Sequence, residues 1–223
     1  MLLAIDTATR EASIALYHAD GVQTEITWRS RENHTVELTT QILHLLDLGK
    51  VRQDDVKAIG VALGPGSFTG LRVGMSVAKG WAFGAHLPLL AIPTLDAIAH
   101  ANAHVAMPMW AVLNAGRKRY TVAPYTVCDG TANRSSDYAL VDAKGFIERV
   151  SRSSDARAFF CGDIDATLAR ELSEQLGAYA VIASPALNVR RAGFIAELAW
   201  ARFLRGESDD VSSIAPVYTP YPI

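Results

Sequence analysis

The sequence predicts an α/β protein of two tandem lobes, each a mixed β-sheet flanked by helices. Three observations lead to this prediction. The first hundred residues alternate short apolar strands with apolar helices, as one sheet-and-helix lobe requires. Residues 110–116 (WAVLNAG) then repeat the pattern of residues 2–8 (LLAIDTA), in which an apolar strand ends in a short polar residue and small residues. Finally, 223 residues that are 50% hydrophobic are enough to bury a core.

The first lobe is predicted over residues 1–103. A buried strand ends at Asp6, and two further strands flank the hairpin signal Asp20-Gly21. The later elements are helices at 34–48, 69–83 and 94–102 and strands at 56–63 and 87–92. Three strands, a helix, a strand, a helix and a strand are the order of an RNase H-like lobe.

The second lobe is predicted over residues 104–223, and it begins with the strand at 110–114. Its other strands are expected at 120–127, 138–141, 158–161 and 179–182, and its helices at 143–150, 164–176 and 192–204. Three prolines in residues 216–223 predict an extended tail.

The glycine-rich stretch GPGSFTG at 64–70 links a strand to a helix, and either Ser67 or Thr69 can cap that helix. Backbone N–H groups at such a turn can bind phosphate, but a tight connection without a ligand has the same pattern. The glycine spacing fits neither a Walker A loop nor the dinucleotide-binding fingerprint. Both interpretations stay open.

The two long helices of the first lobe are apolar on more than one side. In the helix at 69–83, only Arg72 and Lys79 are charged, and small residues recur at Gly70, Gly74, Ala78 and Ala82. In the helix at 34–48, one apolar face holds Leu38, Ile42, Leu45 and Leu46, and another holds Val36 and Leu43. A helix with two apolar faces needs two covers, supplied by this chain or by a partner.

Composition limits the classes of function. A formal net charge of −2 gives no global attraction to nucleic acid, so RNA would be met locally or through a partner. The two cysteines, Cys128 and Cys161, lack metal-ligand spacing, which favours a reduced, cytoplasmic setting. Asp6 interrupts the first apolar run, so we expect no signal peptide, and no run reaches transmembrane length.

Four segments carry a resemblance to a known family. They are LAIDTAT at 3–9, ENHT at 32–35, GPGSFTGLRVG at 64–74 and PVY at 216–218. On these segments the chain resembles the bacterial TsaB (YeaZ) family of tRNA threonylcarbamoyladenosine (t6A) biosynthesis proteins. The resemblance implies the two-lobed fold of actin, Hsp70 and the sugar kinases.

The resemblance also implies a role and partners. Members of this family are non-catalytic partners of TsaD, which transfers a threonylcarbamoyl group to an adenosine of tRNA, and the ATPase TsaE joins them. The surface that contacts TsaD also closes a homodimer when TsaD is absent, and tRNA would be contacted at most indirectly. The implied contact residues on the two helices are Leu38, Ile42, Leu45, Gly70, Val73, Gly74, Val77, Ala78 and Trp81.

Asp6 is the best candidate for chemistry. In active proteins of this fold the first strand ends in an aspartate that holds hydrated magnesium, followed by a glycine that lets phosphate approach. Here Ala8 replaces that glycine, and Asn114 replaces the second-lobe carboxylate. The resemblance therefore implies a vestigial nucleotide site, without a cofactor of its own, formed by Asp6, Thr7, Gly64, Gly66 and Ser67. A weak or shared ATP or ADP site in the complex stays open, and the rival hypothesis is a kinase or hydrolase that uses Asp6 and residues 64–70.

Two further groups of residues, one of histidines and one of basic residues, are candidate sites. His100 and His104 have a metal-ligand spacing, but no glutamate is placed as a general base, and a surface helix end without metal is the preferred interpretation. The basic runs at 117–119 (RKR) and 190–191 (RR) could contact tRNA phosphates, although such clusters are more often solvated surface.

Overall fold

The fold is described from a computed structural model for residues 1–30, 34–153 and 156–218. The predicted motif residues Glu32 and Asn33, and the end of the predicted tail at 219–223, lie outside this part of the chain. The helices are α1 His34–Gly49, α2 Phe68–Ala85, α3 Thr94–Ala101, α4 Ala143–Ser153, α5 Ala166–Leu176 and α6 Ala192–Leu204.

The chain divides into two compact units. The first unit comprises Met1–Thr94 together with Arg190–Tyr218, and the second comprises Leu95–Val189. This division differs from the predicted lobes at 1–103 and 104–223. The difference has two causes. Helix α6 packs on the sheet of the first unit, where it covers a face that α1 and α2 leave free. Leu95, Ile98 and Ala99 of α3 belong to the core of the second unit.

The first unit contains a five-stranded sheet. Its strands are β1 Leu2–Asp6, β2 Glu11–His18, β3 Gly21–Arg29, β4 Ala58–Gly64 and β5 Leu89–Pro93. Their order across the sheet is β3-β2-β1-β4-β5. β2 runs antiparallel to β1 and β3, whereas β4 is parallel to both β1 and β5. This order is the predicted RNase H-like arrangement.

The two faces of this sheet are covered by different helices. Leu3 and Ile5 of β1 lie in one core cluster with the inner residues of α1 and α2. On the other face, Gly60 of β4 lies beneath Ala199 of α6, so close that an added Cβ would be 3.0 Å from the Ala199 Cβ. Alternation along each strand therefore explains why β1 is buried over its whole length.

The second unit repeats the central arrangement of the first. Its strands are β6 Met109–Asn114, β7 Arg119–Cys128, β8 Thr131–Arg134, β9 Ala139–Asp142, β10 Ala158–Gly162 and β11 Ala180–Ile182. β6 has an antiparallel neighbour, β7, and a parallel neighbour, β10, as β1 has β2 and β4. Strand β8 was not predicted, although the turn residues Asp129-Gly130, both with positive φ, are the sequence signal for its hairpin.

After α6 the chain runs back across the first unit as a segment that we name the C-terminal strap (residues 207–218). Asp209 N donates to Leu89 O, which pairs the strap with the free edge of β5. Further along, Lys79 Nζ of α2 donates to Ile214 O at 3.0 Å. The strap therefore covers an edge strand that would otherwise present unpaired backbone groups.

No helix of the described chain is long and apolar enough to cross a membrane.

Candidate functional site

Asp6 lies at the end of β1 and is paired with an arginine from the other end of the first unit. Its side chain is 3% exposed, and its Oδ2 accepts from Nε (3.1 Å) and Nη2 of Arg190, whose side chain is 6% exposed. Its Oδ1 accepts from Ala8 N at 3.0 Å. A guanidinium therefore neutralises the carboxylate that the sequence singled out as the best candidate for chemistry.

The glycine-rich turn packs on the end of β1. Ser67 N donates to Ala8 O at 2.7 Å. The Ser67 hydroxyl accepts from Gly70 N at 3.2 Å, which confirms Ser67 as the cap of α2. These N–H groups are engaged within the chain, so they are not free to bind a phosphate.

The glycines of this region are required by close packing on residues 7 and 8. A Cβ at Gly66 would lie 2.4 Å from Ala8 O, and a Cβ at Gly70 would lie 2.1 Å from Thr7 O. At Gly74 it would lie 2.2 Å from Thr7 Oγ1, the hydroxyl that donates to Gly70 O at 2.8 Å. The small residues of α2 therefore allow this helix to approach its own sheet.

Gly64 has a similar role on the other side of the turn. It has a φ of +109°, and a Cβ there would lie 2.1 Å from Val217 O in the C-terminal strap. Val217 N in turn donates to Leu63 O at 2.8 Å. Gly64 thus lets the strap pass over the end of β4.

The predicted contact residues differ in how far they are exposed within the first unit. Six of the nine are buried within their own unit, namely Leu38, Ile42, Leu45, Gly70, Gly74 and Ala78. These six residues are covered by other residues of the first unit, so their contact with a partner stays a prediction. The other three, Val73, Val77 and Trp81, are half-buried at the border of the same core.

A different set of apolar residues on α1 and α2 is exposed to solvent. Val36 is 71% exposed and Leu43 54% on α1, and Phe83 is 74% exposed on α2. We call these three residues, together with the half-buried Val73 and Val77, the outer helical face. The sequence pattern had placed Val36 and Leu43 on a second apolar face of α1, so the signal for this surface was present.

An aromatic stack extends α2 at its N-terminus. The Arg72 guanidinium lies 4.0 Å from the centre of the Phe68 ring, and the Tyr218 ring lies 5.1 Å from it on the strap. Phe68 and Tyr218 are both exposed. The strap therefore adds an aromatic residue beside the first turn of α2.

In the second unit, Asn114 takes part in a structural network at the end of β6. Asn114 Nδ2 donates to Asp165 Oδ2 at 3.1 Å, and Asn114 Oδ1 accepts from Gly116 N at 2.8 Å. The same Asp165 oxygen accepts from the Tyr120 hydroxyl at 2.9 Å. Burial and this aspartate raise the pKa of Tyr120 well above its usual value. Asp165 Oδ1 caps α5, so the carboxylate holds strand, hairpin and helix together.

The two histidines weighed as metal ligands do not share a helix, because α3 ends at Ala101 and His104 lies beyond it. Within residues 1–30, 34–153 and 156–218, no three His, Cys, Asp or Glu side chains are grouped so that they could hold a metal ion.

Comparison with known proteins places this fold in a family. The family model for TsaD, tRNA N6-adenosine threonylcarbamoyltransferase, matches residues 7–191, which is most of the chain. The chain belongs to this family. The match begins at Thr7, directly after Asp6, and includes the whole glycine-rich stretch.

Relatives in the family carry the name of one pathway. The "tRNA threonylcarbamoyladenosine biosynthesis protein TsaB" of Haemophilus influenzae is 41% identical over 45% of this chain and 42% of its own length. The protein of the same name from Bacillus subtilis is 28% identical over 97% of this chain and 93% of its own. The matched region thus spans less than half of the first relative and nearly all of the second.

Solved structures agree with this assignment. YeaZ from Pseudomonas aeruginosa has a TM-score of 0.80 and 26% identity, and the match covers 98% of this chain and 99% of YeaZ. A ROK hexokinase from Thermus thermophilus has a TM-score of 0.51 at 9% identity over 91% of this chain and 99% of its own, a likeness of fold alone. The predicted fold of the actin, Hsp70 and sugar-kinase type is confirmed.

Proposed function

We propose that this chain is a non-catalytic subunit of t6A biosynthesis that binds a TsaD-like transferase through its outer helical face. A TsaE-like ATPase would join the same assembly. The names of the relatives support the pathway. The engagement of Asp6 by Arg190 supports the non-catalytic role, because a carboxylate in a buried ion pair is a poor magnesium ligand.

The observation that carries the proposal is the exposure of apolar side chains on two adjacent helices. Exposed Val36, Leu43 and Phe83 lie on helices whose inner faces are already covered by the sheet. Exposed apolar side chains on neighbouring helices are typical of a protein interface. Two helices per partner can bury a standard interface of about 800 Å² on each side.

A second copy of the chain is the other occupant that fits this face. A homodimer formed through the outer helical face would compete with the TsaD-like partner, because both would cover the same side chains. We therefore expect the homodimer to dissociate as the heterodimer forms.

Calorimetric titration of the chain with a TsaD-like protein tests the proposal. Leu43→Glu and Phe83→Glu each place a charge on the outer helical face, and we expect at least a tenfold loss of affinity. Leu187→Glu is the matched control, because Leu187 is 56% exposed in the second unit. Full affinity in both helix variants would exclude this face.

A titration with magnesium-ATP separates this proposal from the rival kinase or hydrolase. The rival requires tight nucleotide binding by the chain alone and loss of turnover in Asp6→Asn. The proposed subunit requires neither, and micromolar binding of magnesium-ATP to the isolated chain would contradict it.

A further inference from the structure

The structure distinguishes the two basic clusters of the sequence. In the cluster at 190–191, Arg190 is buried against Asp6, and Arg191 Nε donates to Glu25 Oε2 at 2.7 Å. Both guanidinium groups are therefore engaged in holding α6 to the first sheet. This cluster is a structural element of the first unit and not a free basic surface.

The cluster at 117–119 lies at the tip of the hairpin between β6 and β7, and two of its cations have no partner among the described residues. Arg117 and Lys118 are exposed, and among the described residues neither has a hydrogen-bond or ion-pair partner. We call residues 115–118 the hairpin tip. Two adjacent cations without an acidic partner leave their full charge and their N–H donors available to a ligand.

The backbone of the hairpin tip is held by internal hydrogen bonds. Ala115 N donates to Arg119 O at 2.8 Å, Arg119 N donates to Gly116 O at 3.0 Å, and Gly116 N donates to Asn114 Oδ1 at 2.8 Å. Asn114 is itself fixed by Asp165. The tip is therefore a defined turn on a rigid strand pair.

The conformation of the two cations is costly and specific. Arg117 has a φ of 52° and Lys118 a φ of 57°, in the left-handed region that side chains disfavour. Residues with a Cβ adopt this region at a cost in free energy relative to the right-handed conformation. Glycine or asparagine would form this turn at lower cost, so the charged side chains are not required by the turn itself.

We propose that the hairpin tip contacts the phosphate backbone of the tRNA in the modification complex, a direct contact where the family resemblance implies at most an indirect one; this inference rests on the proposed function. Arginine can bind a phosphate through two N–H groups, and lysine adds a compact charge beside it. An acidic protein segment is a less suitable ligand. Protein interfaces are anchored by large apolar or aromatic side chains, and residues 115–118 contain none. Because the net charge of −2 gives no global attraction to RNA, any contact that this chain itself makes with RNA must be local.

The test measures the salt dependence of tRNA binding by the complex of this chain with a TsaD-like protein. The probe is an unmodified transcript of a tRNA that carries the target adenosine. Arg117→Gln/Lys118→Gln removes both charges and keeps side chains of similar length. Loss of two phosphate contacts should reduce the slope of log K against log salt concentration by about 1.4–1.8 and weaken binding roughly tenfold at 0.1 M salt.

The control variant is Lys144→Gln/Arg149→Gln, which makes the same change of charge on the exposed side of α4. Its slope should equal that of the wild type if the hairpin tip is a specific contact. An equal reduction in both variants would show a general effect of charge and overturn the inference.

Failure of the inference can be told from failure of the proposed function. If the hairpin-tip variant forms the complex normally and its slope equals that of the wild type, the inference is overturned and the proposed function stands. If the variant weakens the complex itself without a change of slope, the tip is a protein contact and the inference is overturned. If the wild-type chain forms no complex with the TsaD-like protein, the proposed function fails.

Discussion

Replacing Asp6 with asparagine removes one charge of the buried pair and keeps the shape of the side chain. The remaining Oδ1 can still accept from Ala8 N, so the turn after β1 retains its hydrogen bond. Arg190 then stays buried without a counter-charge. This variant therefore isolates the ion pair from the local backbone.

The magnitude follows from the geometry of the pair. Arg190 Nε lies 3.1 Å from Asp6 Oδ2. Two unit charges at this separation attract by about 5 kcal/mol at an effective dielectric constant of about 20. Removing one partner of a buried pair destabilises a protein by about 3–5 kcal/mol, because the other charge loses both water and partner. We expect Asp6→Asn to lower the free energy of unfolding by about this amount.

Urea denaturation followed by tryptophan fluorescence measures this change. Three of the four tryptophans, Trp28, Trp81 and Trp200, belong to the first unit, so the signal reports mainly on its unfolding. With a dependence of about 1–3 kcal/mol per molar urea, the midpoint should fall by more than about 1 M.

A double-mutant cycle supplies the control. Arg190→Met alone leaves Asp6 buried and unpaired, and it should be as destabilising as Asp6→Asn. The double variant Asp6→Asn/Arg190→Met should be more stable than the sum of the two single changes predicts, by at least about 2 kcal/mol. If Asp6→Asn leaves stability within about 0.5 kcal/mol of the wild type and abolishes magnesium-ATP binding, the reasoning is refuted and Asp6 is a ligand.

Three further predictions concern packing and titration. Gly74→Ala should destabilise the first unit by several kcal/mol, because its Cβ would lie 2.2 Å from Thr7 Oγ1. Gly80→Ala, whose Cβ would have nothing within 4 Å, should instead stabilise α2 by up to about 1 kcal/mol. The urea midpoints of the two variants test both expectations. Arg202→Met removes the guanidinium hydrogen bonds to Glu207 (2.9 Å) and Asp209 (3.0 and 3.1 Å) of the strap and to Ala91 O of β5 (3.0 Å). Amide hydrogen exchange in β5 should therefore accelerate, and unchanged protection would contradict this role. Hydrogen bonds from neighbouring serines lower the pKa of Asp210 to about 2. The resulting stabilisation is complete above about pH 4 and is lost between about pH 4 and 2. An NMR titration of Asp210 with a midpoint near pH 4 would refute the lowered pKa.

The order of the elements could be predicted from the sequence because it depends on local patterns. Apolar runs, helical periodicity and turn residues gave the strands and helices of both units and the RNase H-like order of the first sheet. The same kind of local chemistry offered Ser67 and Thr69 as helix caps, and the structure selects Ser67. The short strand β8 escaped because its polar residues carry no periodic signal, although Asp129-Gly130 marks its turn.

The sequence could not show which apolar face of each helix packs against the sheet of its own unit. The pattern of α1 showed two apolar faces, but only the position of the sheet decided that Leu38 and Leu45 are buried and that Val36 and Leu43 face solvent. The small residues of α2 likewise permit close approach to any backbone. The structure assigns that approach to the end of β1.

The sequence by itself therefore determined the fold type, the family signature and the candidate residues, since each is encoded within a short segment. Tertiary structure decided what those residues do. Asp6 and Arg190 are 184 residues apart, and no local pattern relates them. The position of α6 on the first sheet brings them together, and a buried charge acquires its role from the partner that folding places beside it.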